Sequence, residues 1–283
     1  MNHNKKTVPM IAERKNSLKK IVALTAFDYS FSRLIDTTDI DIILVGDSLS
    51  MVAMGHSTTL PVTMDEMIMH TSAVRRGCNN SLLVADMPFM SYQVSNEQAI
   101  TNAGRFIQEA GAQAVKLEGG TNIASRVQAL TYLDIPVMGH IGITPQSINR
   151  HGKYQVRGKT FEDARKVKQD ALALQDAGVF SIVLEGIYED LAAEITQILK
   201  IPTIGIGAGV NCDGQVLVLH DLLGLSIDPS PKFVKEYTNL ANETKKAVNN
   251  YIQEVRDETF PDANHSYNLK IKKLNSENKT IEK

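Results

Sequence analysis

Eight short runs rich in β-branched and aliphatic residues recur along the chain, five of them closing on glycine, proline or an acidic residue, and that recurrence constrains its fold more than any other feature. They are IVALTA (21–26), DIILVGD (41–47), SLLVADMP (81–88), AVKLEGG (114–120), IPVMGHIG (135–142), FSIVLEGI (180–187), IPTIGIGAG (201–209) and GQVLVLHDLLGL (214–225). The runs are almost continuously apolar rather than alternating, as parallel strands covered on both faces must be. Stretches with apolar residues at i, i+3 and i+4 separate most of them, such as NEQAITNAGRFIQEAGA (96–112) and FEDARKVKQDALALQDAGV (161–179). Eight strands alternating with helices predict an α/β fold of the (β/α)8 TIM-barrel type, and 283 residues suit a barrel of about 250 residues. A doubly wound open sheet is the competing architecture. The seventh and eighth runs start too close together for a full crossover helix.

Residues 1–260 are expected to form one barrel domain, with 232–256 as a closing helix, and 261–283 a polar, partly disordered tail. Two connections are long enough to wall a site, 48–80 and 143–160. With 30 Lys+Arg against 32 Asp+Glu, the formal net charge of −2 offers no field for a nucleic-acid backbone. No apolar run approaches the roughly 20 residues of a membrane span, and the first residues lack a signal-peptide core, so the expectation is a cytoplasmic protein. Cys78 and Cys212 lie in no zinc or CxxC spacing and read as plain thiols.

The chemistry sits at the strand ends. Asp47 follows ILVG, Asp86 follows LLVA, Lys116 and Glu118 lie in AVKLEGG, His140 ends PVMGH and Glu185 ends IVLE. In a barrel these ends converge on one mouth. Lys116 and Glu118 are two residues apart and share a face, which is the inner one if Val115 and Leu117 pack outward. Each acid alone could be a helix cap or half of a salt bridge; five strands ending this way together point to a site. Three carboxylates without clustered Cys or His make a hard oxygen set, favouring Mg2+, with Asp47, Asp86 and Glu118 as ligands, some through water. Beside a lysine, such an ion suits a 2-oxo acid whose α-proton is removed to give a stabilised enolate, with Glu185 as the base. GIGAG (205–209) does not complete GxGxxG and reads as close backbone packing. His140 is either a donor to the site residues or a neutral barrel histidine. Ser48 could meet a substrate carboxylate or simply turn the chain.

The segments ILVGDSLSMVAMGHSTTLPVTMDEMI, LLVADMPFMSYQ, NAGRFIQEAGAQAVKLEGG, IPVMGHIGITPQS, IVLEGI and CDGQVLVLHDLLGL, in order and contiguous, closely resemble the ketopantoate hydroxymethyltransferase family. The resemblance implies a (β/α)8 barrel of the phosphoenolpyruvate-binding superfamily and Mg2+ dependence. It implies transfer of a one-carbon unit from 5,10-methylenetetrahydrofolate to 3-methyl-2-oxobutanoate, a step of pantothenate biosynthesis giving 2-dehydropantoate. By motif it places Asp47, Ser48, Asp86 and Lys116 on the oxo acid, Asp47, Asp86 and Glu118 at the metal, and Glu185 as base. It also implies a homo-oligomer, commonly a decamer. The alternatives are a folate-independent, Mg2+-dependent lyase or aldolase for another 2-oxo acid, and a non-catalytic barrel.

Overall fold

The computed structural model of the chain describes residues 5–226 and 231–267. It falls into two compact units, Met1–Thr238 and Asn239–Lys283. The first holds eight strands: β1 Ile21–Thr25, β2 Ile42–Val45, β3 Leu82–Asp86, β4 Ala114–Glu118, β5 Val137–Gly142, β6 Ser181–Glu185, β7 Thr203–Ile206 and β8 Gly214–Leu217. All neighbours pair in parallel, and β8 returns to β1, closing the barrel. The open sheet is thereby excluded.

Alternation along each strand sorts the apolar side chains into two cores. Ile42, Leu44, Leu82, Val84, Ala114, Met138, Val183, Ile204 and Val216 pack inside the barrel, with Ile11 of the N-terminal helix Val8–Ala12 joining them. Ile43, Val45, Leu83, Ala85, Val115, Leu117, Ile182 and Leu184 belong to the second core, shared with the surrounding helices. Val115 and Leu117 therefore pack outward, and Lys116 and Glu118 face in. Each fully buried aliphatic side chain contributes about 1.5–3 kcal/mol.

The helices begin where the side chains dictate. Thr63 and Glu66 form a reciprocal capping box at the start of Met64–Gly77, while Ser95 and Thr160 accept from the backbone N–H groups of Gln98 and Asp163. Such caps are each worth about 1 kcal/mol. The eighth apolar run is strand only over β8; it then turns into a short helix, Leu219–Leu222. Between β7 and β8 there is no helix. Ile204 and Gly205 pair directly with Gly214 and Gln215, so closure there needs no crossover element.

In the second unit the helix expected over 232–256 spans Leu240–Arg256, its start capped by Asn239 accepting from the Asn242 N–H at 3.0 Å. From residue 268 onward the polar tail lies outside the described residues. Among the described residues no helix is long and apolar enough to cross a membrane.

Candidate active site

Register decides which charged groups meet. Asp86 pairs with Lys116 across β3 and β4, and Glu118 with His140 across β4 and β5. Paired residues in neighbouring parallel strands share a face, so these four project inward in two adjoining couples. Glu185 ends β6 one level higher, opposite Gly142. Asp47 and Ser48 follow β2 through Gly46, where a Cβ would come within 3.0 Å of the Ser48 Oγ. Asp47, Ser48, Asp86, Lys116, Glu118, His140 and Glu185 all line one cavity of about 1090 Å³ at the C-terminal mouth of the barrel. Every site residue expected from the sequence is therefore found there, and His140 joins them. Catalytic groups of this fold lie at that end.

The contacts form a connected network. The Lys116 Nζ is 3.0 Å from the Asp86 Oδ1 and 3.1 Å from the His140 Nδ1. The Asp47 backbone N–H donates to the Asp86 Oδ2 at 3.0 Å. The His140 Nδ1 lies 3.5 Å from the Glu118 Oε1, and its Nε2 lies 3.2 Å from the Glu185 Oε2. An ammonium can only donate, so contact with Lys116 requires a bare Nδ1, while contact with Glu118 suits a protonated one. With Nδ1 bare, the ring hydrogen lies on Nε2, which is close to Glu185 but has no hydrogen-bond partner among the described residues. Burial and the Lys116 charge disfavour the imidazolium, but the carboxylates of Glu118 and Glu185 outweigh them and push His140 up to about 9.

Negative charge is in excess. Asp47, Asp86 and Glu118 are each at least 94% buried, with Lys116 the one lysine among them. Burial, and then the charges of Glu118 and Asp86, hold the Asp47 carboxyl well above the usual carboxylate range. Burial likewise raises Asp86, against the opposing pull of Lys116. Burial also acts on Glu118, but its His140 contact and the Lys116 charge prevail and keep it low. Lys116 is held above its ordinary range because Asp86, Glu118 and Asp47 outweigh its burial. Such an all-oxygen set, short of positive charge, fits a hard divalent cation. Among the described residues no three His, Cys, Asp or Glu side chains converge as a ready-made cage.

Two residues escape a reading of strand ends. Gln146, 6% exposed in the turn Pro145–Ser147, donates from its Nε2 to the Asp47 Oδ2 at 2.9 Å. Tyr92 donates its hydroxyl to the Gln146 Oε1 at 2.8 Å and accepts from the Glu118 N–H at 3.2 Å. Both are neutral and lie in loops, and the only sequence signal is the PQS turn after β5. The glycines of 205–209 serve close packing, as expected: a Cβ on Gly207, at φ 62°, would meet the Phe233 ring at 2.8 Å.

A family model described as ketopantoate hydroxymethyltransferase matches residues 5–263. The chain is 59% identical over 264 residues to 3-methyl-2-oxobutanoate hydroxymethyltransferase of Pelobacter propionicus, covering 93% of this chain and 98% of that protein. It is 52% identical over 265 residues to the enzyme of the same name from Clostridium acetobutylicum, covering 94% and 96%. Among solved structures it is similar to 2,3-dimethylmalate lyase, a PEP mutase/isocitrate lyase superfamily member, with a TM-score of 0.58, 15% identity and coverage of 91% and 87%. A phosphonopyruvate hydrolase complex with oxalate and Mg++ gives 0.59, 11%, 92% and 93%. At those identities the likeness is one of fold alone.

Proposed function

The chain belongs to the ketopantoate hydroxymethyltransferase family, and from that premise we propose how its barrel mouth carries out the reaction. It is a hydroxymethyltransferase acting on 3-methyl-2-oxobutanoate in pantothenate biosynthesis. The one-carbon donor is 5,10-methylenetetrahydrofolate and the metal is Mg2+. The enzyme works in the cytoplasm as a homo-oligomer, a decamer by family resemblance. A folate-independent lyase for another 2-oxo acid is not favoured, because relatives at 50–59% identity over nearly the whole chain carry the transferase name.

The observation that carries this reading is the network of Asp47, Asp86, Lys116, Glu118, His140 and Glu185 on one cavity wall. Asp47, Asp86 and Glu118 are the residues that would hold the cation. When bound, Mg2+ acts as a Lewis acid toward the oxo acid, making the C3 proton easier to remove. Lys116, tied to Asp86 at 3.0 Å, places a fixed positive charge beside the oxo and carboxylate oxygens. Ser48, at the start of the helix Leu49–Val52, offers its hydroxyl to the same carboxylate.

Glu185 takes the C3 proton. Its side chain is 18% exposed, against 3% for His140, so it reaches the cavity while remaining seated. His140 sits beside one oxygen of Glu185, its Nε2 3.2 Å away, and the other oxygen is left for the proton. The nucleophilic C3 then bonds to the methylene carbon of the donor as its two C–N bonds break; one water supplies the hydroxyl oxygen, and its two protons, with the one that Glu185 took from C3, go to the hydroxyl and the two freed nitrogens of the departing tetrahydrofolate.

The deciding experiment follows the C3 proton of 3-methyl-2-oxobutanoate by NMR in D2O with the protein and Mg2+, with and without tetrahydrofolate. Protein-dependent exchange that EDTA stops supports metal-assisted proton removal. A folded protein that gives no exchange in either condition refutes it. Mixing with methylenetetrahydrofolate then tests whether the donor is consumed.

A further inference from the structure

We propose that Gln146 is a positioning residue for the metal site: its amide and its backbone N–H together hold Asp47 and Glu118 in the arrangement that receives a divalent cation. The inference rests on the Mg2+ reading above and deepens it.

Gln146 grips the two carboxylates from opposite ends of one residue. Its Nε2 donates to the Asp47 Oδ2 at 2.9 Å and to the Met87 carbonyl at 3.0 Å. Its Oε1 accepts from the Tyr92 hydroxyl at 2.8 Å and from the Gln93 Nε2 at 3.2 Å. Its backbone N–H donates to the Glu118 Oε2 at 3.0 Å. The amide has two donors and two lone pairs, and all are used. Its orientation is also determined, because the Met87 carbonyl can only accept and must face the nitrogen. Gln146 is not among the residues that line the cavity. It has nothing left to offer a substrate and acts only through Asp47 and Glu118.

The chemical type of this residue matters. Two buried carboxylates repel, and without restraint they separate or take up a proton. A lysine or arginine would hold them, but it would also cancel the negative charge that attracts the cation. A neutral amide supplies directed N–H groups and leaves that charge in place. Gln146 lies in the long connection 143–160, whose Ile143, Pro145, Tyr154 and Val156 line the cavity. The wall that covers the substrate thus carries the group that orients the carboxylates.

Isothermal titration of Mg2+ into the full chain tests this with wild type, Gln146→Met, Gln146→Glu, Tyr92→Phe and the Gln146→Met/Tyr92→Phe double variant. Melting of each apo protein is measured in parallel. Removing an outer partner of a metal ligand weakens metal affinity about 10–100-fold, so Gln146→Met is expected to bind at least about tenfold more weakly. Tyr92→Phe should lose less, and the double variant no more than Gln146→Met, because both act through one link. A Gln146→Met protein that melts lower but binds Mg2+ within twofold of wild type overturns the proposal and leaves Gln146 a packing residue. If both Gln146 variants fail to fold, Tyr92→Phe decides: unchanged affinity overturns the proposal, weakened affinity supports it. A wild-type chain that takes up no Mg2+ refutes the metal reading itself, a result distinct from equal binding by wild type and variant.

Discussion

The two ends of the barrel bury the same residue type under opposite conditions. At the N-terminal end Asp36, Asp41 and Asp213 are at most 5% exposed. Asp36 accepts from the backbone N–H groups of Asn79, Asn80 and Ser81 and from the Ser81 hydroxyl, at 2.8–3.1 Å. Asp213 accepts from Lys15 at 2.8 Å and from the Thr203 N–H at 2.9 Å. Asp41 accepts from the Val22 N–H and lies within ion-pair reach of Lys6 and Arg14. At the C-terminal end Asp47, Asp86 and Glu118 crowd one another around a single lysine. Burial alone therefore does not mark a functional carboxylate. What marks it is burial with too few donors, facing an open cavity.

The sharpest break between the ends is expected at Glu185. Replacing this carboxylate by the amide removes a proton acceptor and little else. Glu185→Gln should lower kcat about 10²–10⁴-fold and abolish C3 exchange, while Mg2+ binding and the melting temperature stay at wild-type values. Near-normal turnover would remove Glu185 as the base.

One substitution made at both ends should then act with opposite sign. Asp36→Asn replaces an acceptor for five donors with a group that itself carries N–H, leaving buried backbone donors unsatisfied. A loss of about 3 kcal/mol in denaturant unfolding is expected, with kcat of the folded protein unchanged. Asp47→Asn relieves repulsion by Glu118 and Asp86 and keeps an oxygen for Gln146. The apo protein should gain about 1 kcal/mol and lose both activity and its thermal response to Mg2+. If Asp47→Asn destabilises the apo protein as Asp36→Asn does, the two ends are not built on different terms.

The sequence displayed much of this and concealed a definable remainder. Strands covered on both faces must be nearly all apolar, so an ionisable residue ending such a run stands out; Asp47, Asp86, Lys116, Glu118 and Glu185 were legible for that reason. Alternation on β4 also settled that Lys116 and Glu118 share a face, and the outward packing of Val115 and Leu117 makes it the inner one. Gln146 was not legible. A neutral amide in a polar loop has no local signature, and its partners lie 28 positions away at Glu118 and 99 away at Asp47. Nor did the eighth apolar run reveal that Val218 turns it out of the strand into a helix, since short apolar segments serve either element.

The smallest expected effect concerns a group of the opposite type at the same open end. His220, just beyond β8, lines the cavity beside the rings of Phe27 and Phe31, with centroids 5.4 and 6.1 Å away. Its buried Nδ1 has no hydrogen-bond partner among the described residues. Burial lowers its pKa from the ordinary histidine value, against the opposing charges of Asp221 and Asp28. The unfolded chain therefore binds the proton more readily, so His220 should subtract stability as pH falls through its unfolded pKa, roughly 6.5. His140, with its raised pKa, contributes in the opposite sense, with stability lost as pH rises through about 9. The two are separable because only His220 is removed in His220→Phe. Unfolding of wild type and His220→Phe, compared at pH 7 and pH 5, should show the variant losing less stability on acidification. Equal losses would mean that His220 takes up its proton as easily in the fold as out of it, and that the open end is under strain only where its carboxylates meet.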